Sequence, residues 1–305
     1  MDGPPEAAPL EGVAIETVRT GELRTLFEAH GKRIWCYYVP FLCCYSLPPR
    51  RVVRVSKWEG STWVTAHSAG RNGKRVDLVV PPLPFTEEAW RQGRSALEEM
   101  NQGTSARILW ADAEDAKIGV GLGLRGEEKE SEYVYDPEIV TALSGQGFRD
   151  LRKRLNRFDR EVGGQLRPLV EADTPDCDDL LRHWRRRQGR KHAFLLDWGY
   201  TRAAVDRFAG WGVEELRGWV LEDGDRMLGF AMAGPLNNDE ACFFVAKTDP
   251  DVRGASEFLR YGVYEALRDY RKVNDAGDLG LPGLQRYKRK FRPIERVQTF
   301  TLEPS

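Results

Sequence analysis

The sequence predicts an α+β protein built from two similar halves, each a mixed, mostly antiparallel sheet flanked by helices. Three observations carry this. Two sets of three apolar, β-prone runs are separated by short Gly, Asn and Asp turns. Each set leads into an amphipathic helix and then one further strand-like run. The chain has 305 residues, 41% hydrophobic and 30% charged, which suits two ordinary domains better than one.

In the second half, "LRGWVLEDGDRMLGFAMAGPLNNDEACFFVAKTD" gives three strands from Leu216, with turns at Asp223-Gly224 and Asn237-Asn238-Asp239. "ASEFLRYGVYEALRDY" then places Phe258/Leu259, Gly262/Val263, Ala266/Leu267 and Tyr270 on one helical stripe, and "KVNDAGDL" reads as a strand. In the first half, "RRVVRVSKWEG", "STWVTAHSAG" and "RVDLVVPPLPF" form the equivalent meander, with Glu59-Gly60 and Asn72-Gly73 in its turns. "TEEAWRQGRSALEEM" is a helix capped by Thr86, and "SARILWAD" is the strand after it. Meander, helix, strand occurs twice, so the expected domains are residues 1–145 and 146–305.

Between the meanders, "GFRDLRKRLNRFDREV" aligns Phe148, Leu151, Leu155, Phe158 and Val162 on one face and leaves basic residues on the rest. "PLVEADTPDCDDLLRHWRRRQGRK" reads as a short strand and a helix starting at Thr174-Pro175, acidic early and basic late, as the helix dipole favours.

Composition narrows the function classes. No apolar run reaches the roughly 18 residues needed to span a bilayer. "MDGPPEAAPLEGV" lacks the basic start and apolar centre of a secretory signal, so the cytoplasm is the expected location. Cys36, Cys43, Cys44, Cys177 and Cys242 contain no C-x-x-C pair, and the four histidines are scattered. Free core thiols are expected, and no metal site.

Net charge is only −1, but the positive charge is clustered. Residues 148–167 hold seven Arg or Lys against three acids, residues 182–191 hold six against none, and residues 284–296 hold six against one. Such patches on a neutral chain suit an anionic partner bound on one face. Solvated helix surfaces account for each cluster taken singly. Trp184 and Trp198 could stack on a terminal base or fill the core.

The stretch "VNDAGDLGLPGLQRYKRKF", Val273 to Phe291, joins an amide and two carboxylates at a strand end to a glycine-rich turn and four cations. Asp275 or Asp278 could orient an incoming amine or accept its proton, and Asn274 could hold an acceptor or a carbonyl. Asn, Asp and Gly are also ordinary turn formers, and residues 288–290 could be a solvated helix face.

The meander-helix-strand order resembles the core of the Gcn5-related N-acetyltransferase (GNAT) fold. Those enzymes hold the acyl-CoA pyrophosphate on a Q/R-x-x-G-x-G/A loop. Here the matching loop is "KTDPDVRGASEFL", where Ser256 follows Arg253 at the glycine position and Glu257 adds negative charge. "PPLPFTEEAW" in the first half has no glycine. Neither offers the close backbone approach a diphosphate needs.

Several motifs follow in order: Tyr133-x-Tyr135, Leu143-x-Gly145, the basic helix, N-D-x-x-D-x-G from Asn274 to Gly280, and G-L-x-x-x-K-x-x-x-x-P from Gly283 to Pro293. Together they resemble the phosphatidylglycerol lysyltransferase C-terminal domain family, a tandem-GNAT family, over nearly the whole chain. The last motif is also similar to the end of Fem-type aminoacyltransferases. The resemblance implies transfer of an aminoacyl group from aminoacyl-tRNA to an amine or hydroxyl, with no cofactor beyond the donor. The acceptor would be a small molecule such as a natural-product intermediate, a peptide or a lipid headgroup.

It further implies Asp275, Asp278 and Lys288 as catalytic residues, Lys288 meeting the oxyanion or the terminal ribose and phosphate. Asn274, Gly277, Tyr287 and Arg292 would contact substrate. Arg152, Lys153, Arg154, Arg157, Arg185, Arg186, Arg187, Arg190 and Lys191 would meet tRNA phosphates. Two alternatives stay open: an acyl-CoA N-acyltransferase with an atypical pyrophosphate loop, and a non-catalytic RNA-binding tandem GNAT. Two pseudo-repeats can pack on each other, so a monomer is expected.

Overall fold

The computed structural model describes residues 10–70, 73–192 and 198–304, the side chains of residues 70, 188–192 and 198 excepted. The chain folds into two compact units, residues 1–129 with 298–305, and residues 130–297. No helix among the described residues is long and apolar enough to cross a membrane.

The first unit holds strands β1 (Val13–Ala14), β2 (Arg51–Trp58), β3 (Ser61–Gly70), β4 (Gly73–Leu78), β5 (Ile108–Ala111) and β6 (Leu124–Glu128). Helices α1 (Thr20–Ala29), α2 (Val39–Tyr45), α3 (Glu87–Met100) and α4 (Ala113–Gly121) flank them. The expected meander is β2-β3-β4, antiparallel throughout. Glu59 and Gly60 both adopt left-handed φ, 49° and 72°, which a two-residue hairpin turn demands. Asn72 of the second expected turn lies outside the described residues. Helix α3 begins as predicted, the Thr86 side chain accepting from the Ala89 amide.

The second unit holds β7 (Glu132–Tyr135), β8 (Gln165–Pro168), β9 (Arg217–Asp223), β10 (Arg226–Pro235), β11 (Glu240–Thr248), β12 (Lys272–Asn274) and β13 (Glu295–Val297). Its helices are α5 (Pro137–Ala142), α6 (Arg149–Glu161), α7 (Thr174–His192), α8 (Trp198–Asp206), α9 (Ala255–Ala266) and α10 (Pro282–Arg289). The sheet order is β13-β7-β12-β11-β10-β9-β8. Its core joins Leu151, Leu155 and Phe158 of α6 to Leu259, Val263 and Tyr264 of α9. The expected strand at "PLVEAD" falls earlier. Gln165–Pro168 pairs with β9, while Asp173 folds back to accept from the Val170 amide and closes a helical turn instead.

Two strands cross the boundary drawn from the sequence at residue 145. Strand β7 pairs with β12 and β13 in the second unit. The last strand, β14 (Phe300–Pro304), inserts between β5 and β6 of the first, where Leu302 is fully buried. Antiparallel partners so far apart in sequence leave no local mark.

Candidate functional site

The site is built where β12 ends between two neighbours. Cys242 of β11 and Val134 of β7 flank Asn274, so the chain leaves the sheet at Asp275 beside Tyr133. The Asp275 amide donates to the Tyr133 carbonyl at 2.9 Å, and the Tyr133 amide to Ala276 O at 3.1 Å. Ala276 and Leu279 hold left-handed φ of 52° and 55°, uncommon for side-chain-bearing residues and a mark of an over-determined loop. Side chains fix it: Asn274 Oδ1 accepts from the Ala276 amide and Asp278 Oδ1 from the Gly280 amide, both at 2.9 Å.

Asp275 is 3% exposed, Asp278 1% and Lys288 4%. Asp275 Oδ2 accepts from the Arg260 guanidinium and from Tyr264 Oη at 3.1 Å, while Oδ1 lies 3.4 Å from Lys288 Nζ. Asp278 Oδ2 accepts from Tyr133 Oη at 2.6 Å. Lys288 Nζ donates to Asp275 O and, at 3.1 Å, to Ala276 O. Two carbonyls and a carboxylate thus match the three N–H groups of the ammonium. Burial lowers the Lys288 pKa and the neighbouring Asp275 opposes that shift. Burial and then the Asp275 charge hold the Tyr264 hydroxyl well above its usual range.

The structure brings Asn274, Asp275, Asp278 and Lys288 into one buried polar cluster. Lys288 is no solvated helix face. Every oxygen of the two carboxylates already has a partner, but each Asp278 oxygen has only one donor and so keeps a lone pair for a further contact. Asn274 Nδ2 likewise donates to Glu132 at 2.6 Å. Gly277 backs onto Glu130, whose Cγ would lie 2.4 Å from an added Cβ. Tyr287 shares a 2.7 Å hydrogen bond with Ser256, and Arg260 Nε reaches its hydroxyl at 3.4 Å. Arg292 spends its guanidinium on the Gly147 carbonyl, at 2.8 and 3.0 Å, tying the turn ahead of α6.

The expected tRNA set divides. Arg152 donates to the carbonyls of Leu143 and Gly145, Arg157 to Glu161 at 2.7 Å, and Arg154 to Glu257 at 3.4 Å. Lys153, Arg185 and Arg186 are exposed, and Arg187 is engaged by Asp251. The side chains of Arg190, Lys191 and Trp198 lie outside the described residues. Trp184 carries Lys247 Nζ 4.6 Å from its ring centroid.

One group of potential metal ligands occurs among the described residues: His183, Asp249 and Asp251. Each carboxylate is also paired with an arginine, Arg226 or Arg187, so the cluster is already charge-compensated and reads as a staple between α7 and the loop after β11. Arg260, Tyr264 and Glu132 join the site although nothing in the sequence had assigned them to it. Arg260 had a legible signal: it is a charge on the apolar stripe of α9, one turn before Val263 and Tyr264.

The model of the family described as "Phosphatidylglycerol lysyltransferase, C-terminal" matches residues 65–303. The chain belongs to this phosphatidylglycerol lysyltransferase C-terminal family. No curated protein matches. The solved structures similar to this family member include three that each match more than nine-tenths of the chain. A conserved protein of unknown function from Bacteroides thetaiotaomicron has a TM-score of 0.78 at 17% identity, over 98% of this chain and 100% of that one. L-PGS from Bacillus licheniformis has a TM-score of 0.67 at 15% identity, over 96% and 93%. FemX has a TM-score of 0.57 at 10% identity, over 92% and 96%. At these identities the likeness carries the fold, which is that of tandem GNAT proteins.

Proposed function

We propose that this chain is an aminoacyltransferase that takes an aminoacyl group from aminoacyl-tRNA and passes it to an amine or hydroxyl acceptor. Such a donor is met in the cytoplasm. The start of α9 is the observation that favours this over acyl-CoA. Acyl-CoA enzymes of this fold hold the pyrophosphate there. In this chain a Cβ on Gly254 would lie 3.2 Å from Phe158, and the Phe158 and Phe258 ring centroids lie 4.7 Å apart with the rings tilted. A diphosphate would meet the Phe158 side chain where it needs open amides.

The ester of aminoacyl-tRNA stores the energy for transfer. Attack forms one bond from the acceptor nitrogen or oxygen to the carbonyl carbon and breaks the ester bond to the ribose. The acceptor's proton ends on the ribose oxygen. Lys288 is the cation for the developing oxyanion, freed by exchanging one backbone carbonyl for it. Asp275, itself held by Arg260, keeps that ammonium in place. Small molecules, peptides and lipid headgroups remain the acceptor classes.

The deciding experiment is equilibrium binding to aminoacylated bulk tRNA and, separately, to acetyl-CoA, each across a salt series. Salt-sensitive tRNA binding without acetyl-CoA binding is expected. Acetyl-CoA binding without tRNA binding would overturn the reading.

A further inference from the structure

We propose that Arg154 and Lys290 form a clamp for one backbone phosphate of the tRNA donor, built around the buried carboxylate of Glu257. This rests on the reading above and deepens it. Arg154 comes from α6 and Lys290 from the end of α10, yet both reach the same oxygen. Glu257 Oε1 accepts from Lys290 Nζ at 2.9 Å and from Arg154 at 3.4 Å. The carboxylate side chain is 8% exposed, whereas Arg154 is 41% and Lys290 28% exposed. An acid buried beneath two cations with surface-facing sides fixes their positions and leaves one net positive charge outward.

Donor capacity remains. Each cation spends one donor on Glu257, so an arginine keeps four N–H groups and a lysine two. A phosphate offers several acceptor oxygens to such a pair. The surroundings favour an extended polyanion over a single small anion. Lys153, Arg253 and Arg289 are exposed beside these positions in the chain and pair with no acid among the described residues. The support is rigid, because Phe158 of α6 packs on both Gly254 and Phe258 of α9. The Lys290 ammonium also lies 5.1 Å from the Tyr287 ring centroid, which limits its swing.

The test is filter binding of unfractionated tRNA to the full chain across a salt series. Wild type is compared with Arg154→Ala, Lys290→Ala, the double variant and, as a charge-matched control in the first unit, Arg125→Ala. Each clamp variant should weaken binding about 5- to 10-fold and reduce the log K against log salt slope by about one. The double variant should lose less than the product of the two, because both residues grip one phosphate. Arg125→Ala should change neither quantity. Both cations are partly exposed, and thermal melting of each variant confirms folding.

Tight wild-type binding with unchanged slopes in the folded variants would overturn the clamp alone. Loss matched by Arg125→Ala would reduce it to general charge and overturn it too. Absence of wild-type binding would overturn the clamp together with the donor assignment. Vesicles of phosphatidylglycerol and phosphatidylcholine form a further arm. Variants that lose vesicle binding while keeping tRNA binding would assign the pair to a lipid surface instead.

Discussion

Tyr133 donates its hydroxyl to Asp278 Oδ2 at 2.6 Å, joining strand β7 to the loop before α10 across 145 residues of sequence. Both groups are buried, so removing the hydroxyl leaves a carboxylate oxygen short of a donor. Tyr133→Phe should cost about 1–3 kcal/mol in urea unfolding. Unchanged stability would mean that Asp278 is held by its Gly280 contact alone.

Arg260 and Asp275 form the other buried link of the site. Truncating Asp275 strands the buried Arg260 guanidinium, and truncating Arg260 leaves Asp275 only Tyr264 and the more distant Lys288. Arg260→Ala and Asp275→Ala should each cost about 3–5 kcal/mol, and the double variant much less than their total. A double-mutant cycle by chemical denaturation measures this coupling. Additive losses would show the pair to be energetically independent.

Lys288→Ala should lower transfer at least about 100-fold while changing the Kd for tRNA only slightly. Lys288→Arg should not rescue it, because a planar fork does not fit the place of a compact ammonium on two adjacent carbonyls. Burial lowers the lysine pKa, so the protonated form is lost below the ordinary 10.5. The wild-type rate should therefore fall on the alkaline side before that pH. A rate that keeps rising through this range would remove Lys288 as the oxyanion cation.

His67, on β3, has its pKa lowered from 6.5 to about 4 by burial and then by the nearby Arg54 charge. The folded form stays neutral while the unfolded chain takes up a proton near 6.5. Its contribution is complete above pH 6.5 and is lost as pH falls towards 4, by about 3 kcal/mol at most. His67→Gln should flatten the fall in melting temperature across that window. Parallel melting curves for the two proteins would contradict it.

Leu302→Ala, in the strand between β5 and β6, should cost about 2–5 kcal/mol because the side chain is fully buried. The loss should appear as lower thermal stability with tRNA binding retained at low temperature, since the cations invoked lie in the second unit. Loss of tRNA binding by the folded variant would place part of that interface in the first unit.

Both three-stranded meanders, helices α3, α6 and α9, and the order of motifs that marks the family were legible in the sequence. Local signals set them: Glu59-Gly60 and Asp223-Gly224 turns, the Thr86 cap, and the apolar stripe Leu151, Leu155, Phe158. The cluster of Asn274, Asp275, Asp278 and Lys288 was also visible, because the four lie within fifteen residues of one another. Their partners were not. Tyr133 and Arg260 reach the loop through strand pairing and helix packing, and a hydrogen bond between distant residues leaves no periodicity to read. The same holds for β14, whose partners in the sheet lie far away in sequence, and for Glu257, whose unfavourable charge found its use only when α6 and α10 brought Arg154 and Lys290 to it. Sequence by itself determined the elements and the kinds of chemistry available. Tertiary structure alone decided which polar atoms were already engaged, because a buried donor or acceptor must find a partner wherever the fold supplies one.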